Sequence, residues 1–227
     1  MKTKLATWPF TVSAIACGVF LVLTAMGMVF YPGGTLVDKT TRGYSFLMNA
    51  FSDMGMTVTL GGHRNRLSFF LFTAGLASAG VGLALFFTAF SRIFSHSKGS
   101  RVLAITGAFL GILAGVGFLG VASTPADLML MAHLWFVNWA FRFFTLATLC
   151  FTVCIMRSPN YPKSDGWLLA GFTLLLISYI LLLNYGPGMD TPRGLMIMVV
   201  GQKIIAYASI LCVLILALHA RKWILAR

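Results

Sequence analysis

The chain has 227 residues, 59% of them hydrophobic and 10% charged, with a mean hydropathy of +0.89; soluble domains carry about a quarter charged residues, so a soluble globular fold is excluded. Seventeen basic residues against five acidic ones, none of them Glu, give a net charge of +12, a balance that in a soluble protein would suggest a nucleic-acid partner. Most of these basic residues fall between apolar runs of bilayer length, where the positive-inside rule accounts for them, and no nucleic acid is implied.

Residues 8–30 follow the basic start Met1-Lys2-Thr3-Lys4, as in a signal peptide. The run is long enough to span, shows no small-residue cleavage site and is followed by more spans, so it reads as a retained first helix. The first loop, 31–66, opens with the turn Tyr31-Pro32-Gly33-Gly34 and carries an apolar stretch over 44–55. That stretch is too short to cross a membrane and too apolar for a free loop, which predicts a short interfacial or re-entrant helix stopped near Gly55. Further spans at 67–91, 102–122, 131–156, 167–185 and 195–220 complete an all-α, six-helix membrane bundle, read as a single domain over 1–227. Gly107, Gly111 and Gly115, with Gly117 and Gly120 beyond, leave one side of the third span almost bare backbone. Such a face suits close packing within the bundle, and its alternatives are a dimer contact or a gap for a lipid chain.

Loop charges predict the orientation. Lys2, Lys4, Arg92, Lys98, Arg101, Arg157, Lys163, Arg221, Lys222 and Arg227 fall on the face shared by the termini, against Lys39, Arg42, Arg64, Arg66 and Arg193 on the other. The expectation is a multi-pass protein of the cell membrane with both termini cytoplasmic. Asp38, Asp53, Asp127 and Asp190 fall outside and only Asp165 inside, leaving the inner face nearly pure positive, as anionic inner-leaflet lipid favours. Cys17, Cys150, Cys154 and Cys212 sit within apolar runs and read as small hydrophobes rather than a disulfide framework or a zinc site.

Polar residues gather at the outer ends of the second and fourth spans: Asn49, Ser52 and Asp53, then His63 to Arg66 and Ser68, then Asp127 and His133. Carboxylate, hydroxyl and imidazole are what a hydrolase or a metal site requires, which makes Ser52, Asp53, His63 and His133 the candidate catalytic set, with zinc as an optional addition. The same residues have a structural reading. Asn65 or Ser68 can cap the second span, Ser123 or Thr124 with Asp127 can form a turn at Pro125, and the arginines can pair the aspartates. No metalloprotease, nucleophile-elbow or phosphate-loop motif occurs, and no cofactor or resident metal is implied.

Two charges lie within spans. Arg142 is eleven residues in from Met131, a depth of roughly 16 Å in a ~30 Å hydrocarbon core. Intramembrane charges tend to face the bundle interior. Arg142, with Asn138, Thr145 and Thr152 on its face, and Lys203, beside Gln202 and Tyr207, therefore predict a polar seam between the fourth and sixth spans. Lys203 has the alternative of snorkelling outward, which its depth denies to Arg142. The candidate ligand-binding residues are Asn49, Asp53, Arg66, Asn138, Arg142 and Lys203.

Three segments carry a family resemblance. Asn49-Ala50-Phe51-Ser52-Asp53-Met54-Gly55 resembles an N-x-I-S-D-L-G signature, and the run from Asn65 to Leu76 resembles an S-x-x-L-F-N-x-G-L start of a second span. The stretch from Gly117 to Pro125, followed by Asp127 and His133, resembles a glycine-rich span ending in P-x-D with a His at the head of the next. In this order they resemble the six-helix bacterial and archaeal membrane proteins of domain-of-unknown-function family 998, distantly similar to the DRAM and Frag type membrane proteins. Thr73 departs from that family's Asn. The resemblance implies a six-helix bundle with an outward-facing polar cluster and, through distant relatives, lipid-related roles; it carries over Asn49, Ser52, Asp53, Ser68 and His133.

The expected function is a non-enzymatic integral membrane protein that binds an anionic lipid or small amphiphile, with membrane lipids and partner membrane subunits as its companions. An intramembrane hydrolase at the outer face and an anion transporter along the Arg142 and Lys203 seam are the alternatives. The transporter would more often show internal repeats and broken helices, and the sequence displays neither.

Overall fold

The computed structural model describes residues 2–94 and 97–227, and side chains from Thr7 onward. Six helices follow one another: α1 Lys2–Val29, α2 Arg66–Ser91, α3 Lys98–Ser123, α4 Leu130–Arg157, α5 Lys163–Tyr185 and α6 Pro192–Leu225. All six are long and apolar enough to cross a membrane, and the chain is an integral membrane bundle. Polar signals at their ends set where they start and stop. Ser97 accepts from the Ser100 amide at the head of α3, and Thr191 accepts from the Gly194 amide at the head of α6, where Pro192 takes the first position. At the far end of α4, the Lys163 ammonium donates to the Ile155 and Met156 carbonyls at 2.9 and 2.8 Å, putting a cation on the negative end of that helix.

Each helix packs on its neighbours in the chain, and α6 returns to close against α1. The bundle is thus a ring in sequence order, with both termini on one face and the first loop on the other. The glycines of α3 serve this ring. A Cβ on Gly115 would lie 2.6 Å from the Gly80 carbonyl of α2, and one on Gly117 would lie 2.8 Å from the Ala140 side chain of α4. Their absent side chains let α3 sit close to both neighbours, so the glycine face packs within the bundle.

The two halves of the ring are filled differently. Toward the termini, Phe86, Phe87, Phe90, Phe94 and Phe151 are fully buried and pack ring against ring, with centroids 4.9 Å apart for Phe86 and Phe90 and 5.3 Å for Phe87 and Phe151. Toward the first loop the centre is hollow. The five tryptophans mark the levels of the membrane edges: Trp8, Trp167 and Trp223 near helix ends on the terminal face, Trp135 and Trp139 on α4 toward the loop face.

Candidate functional site: a capped interior cavity

The first loop folds back over the mouth of the ring as a cap. Its only helical part is a five-residue 3-10 helix, Phe51–Gly55, shorter than the apolar stretch 44–55 predicts. Residues 44–50 are held instead by polar bonds around Asn49, whose side chain is fully buried. Asn49 accepts from the Ser45 amide at 2.9 Å and donates to the Gly34 carbonyl at 2.8 Å and to the Asp53 carboxylate at 2.9 Å. Asp53 also accepts from the Ala50 amide at 2.9 Å. Burial pushes the Asp53 carboxyl above the usual carboxylate range, against the pull of the Asn49 and Ala50 donors and of Lys203.

Three attachments tie the cap to the bundle. The Phe51 amide donates to Gln202 of α6 at 2.7 Å, and the Phe51 ring stacks on Phe20 with centroids 5.8 Å apart. The Lys203 ammonium, 2% exposed, donates to the Asn49 carbonyl and lies over the rings of Tyr44 and Phe46 at 5.4 and 5.2 Å. The Thr57 and Val58 amides and the Thr57 hydroxyl all donate to Asp127, between α3 and α4. Desolvation, which raises the Asp127 pKa, is outweighed by these donors, and its carboxyl lies below the ordinary range.

Beneath the cap lies a cavity of about 100 Å³. Its wall runs from Phe72 to Leu83 on α2, from His133 to Phe144 on α4 and from Gln202 to Val213 on α6. Each run advances eleven residues along its helix, which at 1.5 Å per residue is a length of roughly 16 Å. The cavity is narrow and its wall mostly apolar. Polar groups concentrate at the mouth: Ser52 from the cap, His133 and Gln202. His133, 4% exposed, places Nδ1 2.7 Å from the Thr124 carbonyl. A carbonyl only accepts, so in the neutral ring the proton is on Nδ1 and Nε2 is left as an acceptor. Gln202 uses its oxygen on Phe51 and keeps its amide donors.

The candidate catalytic set does not assemble. Ser52 and His133 share the cavity, but Asp53 is engaged with Asn49 and Ala50, and His63 is exposed in a separate hairpin where its backbone pairs with Thr59. Among the described residues, no three His, Cys, Asp or Glu side chains come together as metal ligands. Of the structural alternatives, the turn at Pro125 forms, with the Leu128 and Met129 amides donating to the Pro125 carbonyl at 3.1 and 2.8 Å, and the others are corrected. Asn65 precedes α2 but spends its side chain on the Met54 and Met56 carbonyls, and Asp127 bonds the cap rather than an arginine. Arg66 is the exposed first residue of α2.

The seam between the fourth and sixth spans does not form either. Lys203 neither lines it nor snorkels, because the cap meets its ammonium. Arg142 lies on the exposed side of α4, in a stripe with Trp135, Trp139, Leu146 and Leu149 that faces away from the ring. Its Nη1 donates to the Asn138 carbonyl and side-chain oxygen at 3.1 and 2.7 Å, and its Nη2 to Asn184 of α5 at 3.2 Å. Asn184 is the penultimate residue of α5. The guanidinium is therefore level with the end of α5.

A carboxylate and imidazole paired at the terminal face have no counterpart among the candidates read from sequence. Asp165, 1% exposed in the first turn of α5, lies 2.8 Å from Nδ1 of His219 on α6. The signal for it was slight: Asp165 is the one acid on that face, and nothing in the chain order points to a histidine 54 residues later. Comparison with protein-family models, curated proteins and solved structures finds no match to this chain.

Proposed function

We propose that this membrane protein takes up a single hydrocarbon chain with a small uncharged polar head into the capped cavity. The observation that carries the reading is the cavity's length and polarity together. About 16 Å of mostly apolar wall has the reach of one acyl chain, and because the space is about 100 Å³ at rest, against roughly 300 Å³ for a site that encloses a ligand of this size, the cap and helices must separate as the chain enters. The mouth offers an acceptor on His133, a hydroxyl on Ser52 and amide donors on Gln202, which suit an alcohol or ester. It holds no Lys or Arg, so an anionic head would lose its hydration without a partner there. The three segments that resemble the family 998 proteins supply the cap, the head of α2 and the His133 wall, in keeping with the lipid-related role that resemblance implies.

Titration of the purified protein with monolauroylglycerol, followed by native mass spectrometry, tests the reading. One equivalent is expected to bind, and Val213→Phe, which fills the deep end of the cavity, is expected to weaken it by roughly tenfold. Equal binding by wild type and Val213→Phe overturns it.

A further inference from the structure

Among the described residues, the Arg142 charge is met by neutral oxygens alone. Asn138 and Asn184 take three hydrogen bonds, which leaves donors on Nε and Nη2 with no acceptor among the described residues. Among the described residues, the carboxylate within 4.0 Å of a basic side chain is that of Asp165, beside His219 at the opposite face. Asp190, the acid nearest to Asn184 along the chain, is exposed and forms no ion pair with any described residue. A permanently charged guanidinium on the lipid side of a membrane helix requires an anion or water as its counterpart.

The surroundings decide which. Trp139 lies beside the guanidinium at 5.8 Å, the residue type enriched at headgroup depth. Asn184 places the charge level with the end of α5, just before the Gly186-Pro187-Gly188 turn. Toward the terminal face Leu146 and Leu149 on α4 and Ile177 and Leu181 on α5 are exposed, with Ser178 among them. The arrangement is a fork of donors at headgroup level above two hydrocarbon-facing stripes.

We propose that the Arg142 and Asn184 notch binds the phosphate of a phospholipid in the leaflet nearest the first loop, with its acyl chains along the outer faces of α4 and α5. The guanidinium presents its free donors to two phosphate oxygens, and the Asn184 amide holds the fork in place. This site is outside the ring and does not depend on the cavity.

The test compares phosphatidylglycerol with diacylglycerol of the same chains, each titrated onto the purified protein in neutral detergent and counted as adducts by native mass spectrometry. Wild type is expected to hold the phospholipid roughly tenfold more tightly than diacylglycerol. Arg142→Met is expected to abolish that preference, and Arg142→Lys, which keeps the charge but loses the planar fork, to retain part of it. Asn184→Leu, at an exposed position on the end of α5, supplies a second reading if Arg142→Met fails to fold; it is expected to weaken the preference severalfold. Equal retention of the two lipids by wild type overturns the proposal, as does an unchanged preference in Arg142→Met or, where that variant does not fold, in Asn184→Leu. Displacement of the phospholipid by millimolar inorganic phosphate would assign the notch to a soluble anion and overturn the lipid reading.

Discussion

Lys203 donates its ammonium to the main-chain carbonyl of Asn49, 154 residues earlier in the chain. The bond joins the sixth helix to the first loop and turns what would be a surface loop into a lid on the bundle. An ammonium removed from water requires strong acceptors, and a buried carbonyl flanked by two aromatic faces supplies them.

The lid is expected to depend more on Asn49 than on Lys203. Asn49→Ala strips partners from Ser45, Gly34 and Asp53 together, at a cost of about 3 kcal/mol. Lys203→Met leaves the Asn49 carbonyl its bond from the Tyr44 hydroxyl and is expected to cost about 1 kcal/mol. Thermal melting in detergent ranks the two, and hydrogen exchange over residues 45–56 localises the loss. A larger loss in Lys203→Met would reverse the assignment.

Acid and alkali are expected to act on the lid through different carboxylates. The Asp127 carboxyl is lowered, so its contribution is full above its unfolded value and is lost as pH falls below about 4. The Asp53 carboxyl is raised, so its contribution is full below its unfolded value and is lost as pH rises through the higher folded value. Melting temperatures between pH 3 and 9 should show Asp127→Asn flattening the acid side and Asp53→Asn the alkaline side. Identical profiles for wild type and both variants would contradict this.

Glycine positions in the ring should tolerate side chains very unequally. Gly115→Val drives a side chain into the Gly80 carbonyl, a backbone atom that cannot rotate away, and overpacking of this kind costs about 1–3 kcal/mol. Gly99 has nothing within 4 Å of an added Cβ, and Gly99→Ala is expected to melt at or slightly above wild type. Loss of stability in Gly99→Ala comparable to that in Gly115→Val would show that the α3 glycines serve something other than close packing.

The orientation is open to labelling. Single cysteines at Lys39 and Asp190, in a background lacking the native cysteines, should react with an impermeant maleimide from outside cells. Cysteines at Lys98 and Lys163 should react only after permeabilisation, as the distribution of basic residues requires. Labelling of positions 98 and 190 from the same side is incompatible with six passes.

Membership in a membrane, the number of passes and the presence of a structured first loop were all legible in the residue order. Hydropathy summed over some twenty residues is a property of the chain alone, and each span followed from it to within a few residues of its core. The short helix before Gly55 was legible for the same reason, since an apolar stretch that cannot cross must be covered.

Only the tertiary structure decided which way each helix faces. In a soluble protein the apolar side of a helix points inward, but here lipid and interior are both apolar and the helices are apolar nearly all round. Residue order therefore points Arg142 into an interior seam although its stripe faces outward, and it leaves Lys203 free to snorkel although the cap receives its ammonium. The cavity had no trace in the sequence: its wall is drawn from five helices and the cap, and it exists only because residues such as Cys17, Leu76, Val137 and Val213 meet there without filling the space between them.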